Sequence, residues 1–259
     1  MSDPSNHSVI EFQRVSFRID PGRELLHDIS LQIDRGETLI VLGRSGSGKT
    51  TTLKLVNRLL TPSVGEVRVE GRPTIEWNAI RLRRMTGYVI QEIGLFPHFT
   101  VERNIGLVPT IEGWPATRIQ ARVQELLRLV GLPSEIASHY PHELSGGQRQ
   151  RVGVARALAA DPPILLMDEP FGALDPITRA ELQREFLELQ KRLKKTVVFV
   201  THDLREALLL GTRIALLEAG RLVAVKTAVS FTESNEPLIV AYREAFGSEC
   251  AVRRDGNKP

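Results

Sequence analysis

The residues best suited to chemistry form a glycine-rich loop that ends in lysine and threonine. The eight residues fit the phosphate-binding pattern GxxxxGK[ST]: Gly43, Arg44, Ser45, Gly46, Ser47, Gly48, Lys49 and Thr50. Glycines allow backbone N–H groups to turn inward and approach a phosphate, which a Cβ atom would hinder. Lys49 can bring positive charge to the outer phosphates, and the Thr50 hydroxyl can ligate Mg²⁺. The loop therefore predicts binding of a nucleoside triphosphate.

The sequence on either side of this loop supports the prediction. The apolar run 38–42 is typical of a buried strand, and the stretch 51–60 has helical character. A helix that begins at Thr51 points its positive dipole end at the bound anion, so Thr51 belongs to the predicted nucleotide-binding set. The alternative is a Gly/Ser-rich turn that happens to precede Lys-Thr, and the position between strand and helix argues against it.

Two adjacent carboxylates follow a second apolar run. Residues 164–167 are Ile-Leu-Leu-Met, and Asp168 and Glu169 come next. At the carboxyl end of a parallel strand, Asp168 can hold Mg²⁺ through its water shell, and Glu169 can act as general base for an attacking water. Taken alone, an Asp-Glu pair could equally cap the following helix. The phosphate loop makes the catalytic interpretation the stronger one.

A third candidate is the motif Leu-Ser-Gly-Gly-Gln at 144–148. Its residues Ser145, Gly146, Gly147 and Gln148 predict a second helix N-terminus that is suited to bind an anion. An ordinary loop-to-helix cap explains the same residues without a ligand. The residue types alone leave both interpretations open.

Composition restricts the class of protein that carries these motifs. The chain has 259 residues, 42% of them hydrophobic, a formal charge of +3 and a single cysteine, Cys250. Basic residues are dispersed, which gives no support to nucleic acid as a partner, and apolar runs fall short of the about 20 residues needed to span a bilayer. The polar start, residues 1–7, lacks a secretory signal, and one cysteine cannot form an internal disulfide, so we expect a cytoplasmic protein.

The remaining pattern predicts the elements that position the motifs. Alternating segments at 9–17, 26–33 and 65–70 predict an antiparallel sheet, and apolar runs at 164–167 and 197–200 predict buried parallel strands. Helical periodicity covers 118–130, 148–159 and 179–195. We therefore predict an α/β core made of residues 9–90 and 161–227, a helical insert at 91–160, and a flexible tail at 246–259.

The motifs occur in the order and spacing of a known family. The chain resembles the nucleotide-binding domains of ATP-binding cassette (ABC) transporters in GRSGSGKT, LSGGQ, ILLMDEP, Ala173-Leu174-Asp175 and Thr201-His202-Asp203. The resemblance covers about residues 9–245. It implies a P-loop NTPase fold with a RecA-like core, an antiparallel β-subdomain and an inserted helical subdomain, and it implies ATP and Mg²⁺ as substrate and cofactor.

The resemblance also implies roles for individual residues. Two copies of the chain are expected to pack head to tail, so that residues 145–148 of one contact the γ-phosphate held by residues 43–51 of the other. Gln91 is then a magnesium-sensing ligand beside Thr50 and Asp168, Asp175 orders the dimer interface, and His202 is a catalytic switch residue at the γ-phosphate. The family stacks adenine on an aromatic residue near the first strand, and here Ile19 occupies the usual aromatic position. Either Phe17 substitutes as the adenine contact or purine binding is weaker, and the alternative for Phe17 is an ordinary core residue.

Three stretches resemble a narrower group, the ATPases of glycine betaine, carnitine and choline importers. These stretches are 57–59, 87–98 and 171–179. They imply a transmembrane permease that contacts residues near 92–110, a separate substrate-binding protein, and a location on the inner face of the membrane. The short C-terminal region predicts that paired regulatory domains are absent. An exporter, a soluble cassette ATPase acting on nucleic acid, and a small-molecule kinase are the alternatives.

Overall fold

The structure, a computed structural model, describes residues 8–20, 22–91 and 94–247. In chain order the elements are β1 (Ser8–Asp20), β2 (Arg23–Asp34), β3 (Thr38–Leu42), α1 (Lys49–Val56), β4 (Val64–Val69), β5 (Arg72–Pro73), α2 (Ala79–Met85), β6 (Thr86–Val89), α3 (Val101–Ile111), α4 (Ala116–Leu129), α5 (Gly146–Leu158), β7 (Ile164–Asp168), α6 (Pro176–Leu193), β8 (Thr196–Thr201), α7 (Leu204–Leu210), β9 (Arg213–Glu218), β10 (Arg221–Thr227), α8 (Ala228–Glu233) and α9 (Pro237–Gly247). Short 3₁₀ turns occupy Thr74–Glu76, Ser134–Ser138 and Pro141–Glu143. Cys250 and the predicted tail from residue 248 onward lie outside the described residues.

The strands form two sheets. One is antiparallel, with the order β2-β1-β4-β5, and the other is mixed, with the order β10-β9-β3-β8-β7-β6. In the mixed sheet β3 runs parallel to β8 and β9, and β7 runs parallel to β6 and β8. The α/β class with a separate antiparallel sheet, predicted from the sequence, is confirmed.

The mixed sheet is covered on both faces. Every residue of β3, β7 and β8 is buried. Because successive side chains of a strand point to opposite faces, Ile40 and Leu42 pack into one apolar cluster with the helices, whereas Leu39 and Val41 pack into a second cluster under the antiparallel sheet. This arrangement explains why these strands read as continuous apolar runs.

The register of the parallel strands brings the candidate site together. Leu42 pairs with Thr201 across β3 and β8, and Asp168 pairs with Val200 across β7 and β8. The phosphate loop after β3, Glu169 after β7 and His202 after β8 therefore leave the sheet at the same edge. Ligands of open α/β sheets bind at this edge.

The inserted segment is helical, and its helices begin earlier than the periodicity predicts. The helices predicted at 118–130 and 148–159 are found as α4 and α5, and the one predicted at 179–195 is α6. Each begins two or three residues before the predicted start, because Pro115, Ser145 and Asp175 are the actual N-caps. The helix predicted at 51–60 runs from Lys49 to Val56, since Arg58 adopts a positive φ of 53° just after it.

The segment after Val225 is more ordered than its weak pattern indicates. β10 continues to Thr227, and α8 and α9 follow. Phe231 and Ile239 are fully buried in the helix-side cluster, and Tyr242 is nearly so. Residues 246 and 247 form the end of α9, whereas the sequence analysis assigns them to a flexible tail. In the described ranges, none of the helices has the length and apolar character needed to cross a membrane.

Candidate active site

A cavity of about 790 Å³ lies at the edge of the sheet where the parallel strands end. Its volume falls within the roughly 300–1,000 Å³ of small-molecule sites. The predicted residues that line it are 43–46, 48–51, Gln91, Glu169 and His202. Three separate motifs of the sequence therefore meet in one cavity.

The phosphate loop is shaped by positions where only glycine fits. A Cβ atom on Gly43 would lie 2.2 Å from the carbonyl oxygen of Leu217, and one on Gly48 would lie 2.5 Å from the Leu26 side chain. Gly48 also has a φ of +101°, which side-chain-bearing residues rarely adopt. The loop is thus packed closely from behind, and its open side faces the cavity.

Lys49 spans the loop at the start of α1. Its side chain is only 5% exposed, and Nζ donates to the carbonyl oxygens of Gly43 at 2.9 Å and Arg44 at 3.0 Å. The same Nζ lies 3.5 Å from Oε1 of Glu169. A buried ammonium held by neutral carbonyls remains a strong attractor for an incoming phosphate.

Thr50 and Asp168 form a pair that suits a hard cation. The Thr50 hydroxyl donates to Oδ1 of Asp168 at 2.9 Å, and the Tyr88 hydroxyl donates to Oδ2 at 3.4 Å. Burial raises the pKa of Asp168, and the hydrogen bond from Thr50 opposes that shift. These oxygen donors fit Mg²⁺, which prefers one or two protein oxygens together with substrate phosphates and water. The described residues contain no cluster of three or more His, Cys, Asp or Glu that could hold a metal alone.

Replacing Thr50 with valine tests this assignment. We expect the affinity for Mg-ATP to fall about tenfold or more, while affinity measured in EDTA changes little, because a metal ligand is lost and the loop backbone is kept. Titration calorimetry with and without Mg²⁺ gives both constants. Thr110→Val is the matched control, since its hydroxyl bonds Gly106 within α3. An equal loss in EDTA would assign Thr50 to the fold of the loop instead.

Glu169 is held in an unusual backbone conformation at the end of β7. Its φ is +43°, and its N–H donates to the Val200 carbonyl at 3.0 Å. Strained backbone of this kind concentrates at functional sites. Oε2 lies 2.8 Å from Nδ1 of His202, so the carboxylate sits between the Lys49 ammonium and the imidazole. This position suits a general base facing the outer end of a bound triphosphate.

His202 is presented by a rigid turn. The buried Thr201 hydroxyl donates to Oε2 of Glu206 at 2.5 Å and accepts from the Asp203 N–H at 3.0 Å. Asp203 in turn caps α7. The His202 side chain itself is 57% exposed. The imidazole can therefore contact both Glu169 and a ligand without any change in the backbone.

Ser145 lies outside this cavity in the single chain. Its hydroxyl accepts from the Gln148 N–H at 3.2 Å, and its own N–H donates to Oε1 of Gln148 at 2.9 Å. This is a capping box at the start of α5. Ser145 is exposed, and a Cβ atom on Gly147 would lie 2.7 Å from the Thr178 side chain. Ser145 thus caps α5, as one of the two interpretations of the motif predicts. Residues 145–148 do not lie at the phosphate loop of their own chain.

Two further predicted residues take up other positions. Asp175 caps α6 by accepting from the N–H groups of Ile177 and Thr178, both at 3.1 Å, and it does not line the cavity. Phe17, the candidate for the adenine contact, is half-buried and packs against the apolar cluster under the antiparallel sheet. Among the described residues, Ile19 lines the cavity, and its side chain is 56% exposed. Regular alternation along β1 would place Phe17 and Ile19 on the same face of the strand. However, β-bulges in the pairing of β1 with β2 change the direction of the side chains.

Sequence reasoning missed several residues of the site. Arg23 and Leu25 of β2 line the cavity beside Ile19, and Tyr88 contacts Asp168 from the neighbouring strand. The position of Tyr88 in the sequence could have indicated its place in the site, because Tyr88 lies near the carboxyl end of a strand, three residues before Gln91. Helix α9 adds residues 241, 242 and 245 to the wall of the cavity. Nothing in the local sequence of this helix indicated that role.

Comparison with known proteins agrees with the geometry. The profile of the ABC transporter family matches residues 26–172. The choline transport ATP-binding protein OpuBA of Bacillus subtilis is 52% identical over 219 residues, which are 85% of this chain and 58% of that protein. The glycine betaine uptake system ATP-binding protein YehX of Escherichia coli is 46% identical over 246 residues, covering 95% of this chain and 79% of that protein.

A solved structure shares the fold. The dimeric post-hydrolysis state of the ATP-binding cassette MJ0796 bound to ADP and Pi superimposes with a TM-score of 0.76 at 34% identity, covering 85% of this chain and 98% of that one. The chain spans a little under three fifths of the length of OpuBA and of the glycine betaine/carnitine/choline transport ATP-binding protein OpuCA.

Proposed function

This chain belongs to the ABC transporter family, and we propose that it is the ATP-hydrolysing subunit of an importer for glycine betaine or a related quaternary amine. One observation carries the catalytic part of the proposal. Lys49, Glu169 and His202 converge on one cavity, next to the Thr50–Asp168 pair. Phosphate binding, metal binding and water activation each have a residue of suitable chemistry there.

The reaction follows from these positions. The loop N–H groups and Lys49 bind the phosphates and hold the terminal group in place. Thr50 and Asp168, with Gln91 nearby, would hold Mg²⁺, and the ion would neutralise charge on the phosphate oxygens. Glu169 accepts the proton of the attacking water, and His202 fixes the orientation of that carboxylate through the 2.8 Å contact.

The site is completed by a second copy of the chain. Ser145 is exposed at a helix start, yet it is outside the cavity of its own chain. A head-to-tail homodimer brings residues 145–148 to the partner's nucleotide, with Asp175 at the interface. The dimeric form of MJ0796 supports this arrangement. A helix N-terminus adds N–H donors and a positive dipole end to the terminal phosphate.

An apolar groove supports a permease as the second partner. A cavity of about 500 Å³ is lined by residues that include Phe96 and Ile111, which are 40% and 58% exposed. The loop that carries Phe96 is fixed by the buried Asn104, which accepts from the Phe96 N–H at 2.8 Å and donates to its carbonyl at 3.1 Å. A rigid surface with exposed apolar residues suits docking of another protein. It overlaps the region 92–110, of which residues 92 and 93 lie outside the described residues.

The imported substrate is proposed from relatives named for choline and glycine betaine. A substrate-binding protein outside the cell would deliver the amine to the permease, and this chain would sit on the inner face of the membrane without contacting nucleic acid. Hydrolysis is then coupled to the permease through dimer closure.

Transport in proteoliposomes tests the proposal. Vesicles are prepared with this chain, the permease that co-purifies with it and the binding protein. We expect ATP-dependent uptake of labelled glycine betaine, competed by choline or carnitine but not by glycine. The reason is that the substrate-binding protein would recognise a quaternary ammonium with an aromatic cage. Vesicles carrying the Glu169→Gln variant are the negative control. If phosphate is released without uptake of any quaternary amine, the assigned substrate is wrong and the ATPase assignment stands.

A further inference from the structure

The C-terminal helix α9 forms one wall of the nucleotide cavity. Ala241, Tyr242 and Ala245 of this helix line the cavity together with the phosphate loop. Ala241 and Ala245 are four residues apart and therefore share one face of the helix. Both side chains are small, so they enclose the cavity without filling it. The helix is held to the core by Ile239, which is fully buried.

Tyr242 connects this helix to the strand behind the phosphate loop. It is 6% exposed, and its hydroxyl donates to Oε2 of Glu218 at 3.3 Å, at the end of β9. The pKa of Tyr242 is raised to about 12, first by burial and then by the Glu218 carboxylate, while the charge of Arg44 and its backbone hydrogen bond act in the opposite direction. The phenol therefore bonds to β9, and it lines the same cavity as Arg44 of the phosphate loop.

The turn after β9 supports the same loop. The N–H of Gly220 donates to the Ser47 carbonyl at 3.1 Å, and the Leu217 carbonyl packs against Gly43 so closely that a Cβ there would clash. Ala219 and Gly220 both have positive φ, as in the tight turns of β-hairpins. The phosphate loop thus rests on the β9–β10 hairpin, and the hairpin is tied to α9 through Tyr242.

We propose that α9 is part of the nucleotide site and that Tyr242 is the positioning residue that couples this helix to ATP. Through Tyr242, docking of α9 on the core strengthens ATP binding, and ATP binding strengthens the docking of α9. The inference rests on the proposed function of the cavity. Coupling between two equilibria is reciprocal, so a docked α9 raises the affinity for ATP, and bound ATP holds α9 against the core. A partner that pulled on α9 would weaken nucleotide binding.

The Tyr242→Phe variant isolates the hydroxyl. It keeps the buried ring and removes the hydrogen bond to Glu218, a loss worth about a five- to tenfold change in affinity. We expect the dissociation constant for Mg-ATP to rise by that factor and KM to follow, with kcat at saturation changed less than about twofold. Leu238→Ala, on the same helix and 42% exposed, is the matched control and should bind ATP like the parent protein.

Two readouts separate this role from a merely structural one. A purely structural loss would lower the melting temperature while leaving the dissociation constant unchanged, and that result would overturn the proposal. Hydrogen exchange on the unsubstituted protein gives an answer even if the variant fails to fold: Mg-ATP should slow the amides of α9, with α4 as internal reference. Unchanged exchange in α9 despite ATP binding would also overturn it. If the parent protein binds no ATP, the proposed function of the cavity fails instead.

Discussion

Replacing Glu169 with glutamine is expected to lower ATP turnover by about 10²- to 10⁴-fold while ATP binding is retained. Glutamine keeps the size of the side chain and can still pair with His202, but it cannot accept the proton of the attacking water. It also removes a negative charge that lies 3.5 Å from Lys49, so the attraction of that ammonium for phosphate is less compensated. ATP affinity should therefore stay the same or rise. Phosphate release and equilibrium binding of ATP measure the two quantities separately.

The same variant should accumulate as an ATP-bound dimer, because closure is kept and hydrolysis no longer reopens it. Size-exclusion chromatography with ATP and Mg²⁺ should show a dimer that the parent protein does not accumulate. Glu188→Gln is the matched control, since Glu188 is 62% exposed on α6 and pairs with the surface residue Lys191. Turnover of Glu169→Gln within about threefold of the parent would assign the base role to another residue.

Mixing two inactive variants is expected to restore turnover, because in the proposed dimer each nucleotide site takes residues from both chains. Lys49→Ala removes the buried ammonium of the phosphate loop, and Ser145→Arg places a bulky side chain at the start of α5, which faces the partner in the proposed dimer. Ser145 is exposed in its own chain, so arginine is accommodated there at the cost of a cap worth about 1 kcal/mol. Either variant alone has two defective sites per dimer and should hydrolyse ATP at background rates.

In an equal mixture half of the dimers pair unlike chains, and each of these has one site with an intact Lys49 and an intact partner Ser145. About a quarter of all sites are then complete, so turnover should recover to about that fraction of the parent rate. The control mixes each variant with the Lys49→Ala, Ser145→Arg double variant, which should restore nothing. Full activity of Ser145→Arg alone would show that the helix tip takes no part in hydrolysis and would contradict the composite site.

The chemistry of the phosphate cradle could be predicted because its constraints are local. Gly48 must adopt a positive φ, Gly43 must admit a carbonyl oxygen at the position of a Cβ, and Lys49 must follow immediately. Such requirements restrict the residue type at fixed spacing, so they appear as a sequence pattern. The buried strands were predicted for a related reason, since burial on both faces leaves only apolar residues along the whole strand.

The ends of the helices were predicted less well, and so was the wall of the cavity that would face the nucleobase. Helix α1 begins at Lys49 after Gly48, an N-cap without a side-chain hydrogen bond, whereas Asp175 caps α6 by accepting from two backbone N–H groups. Periodicity detects neither of these starts. The adenine contact at Phe17 stays a prediction, since bulges in the pairing of β1 change which side chain faces the cavity and Phe17 packs against the apolar cluster. A one-residue shift of register reverses the face of a strand, and the alternation pattern alone does not locate such a shift.

The sequence by itself determined the α/β class, the phosphate loop, the paired carboxylates and the order of the motifs, because each depends on residues close together in the chain. Only the tertiary structure decided that Tyr88 contacts Asp168, that Ile19 and Arg23 line the cavity, and that α9 lines the same cavity and bonds to Glu218 of β9. These contacts join segments separated by many residues, and nothing in the local pattern of either segment requires the other. Packing of both faces of the mixed sheet brings them together.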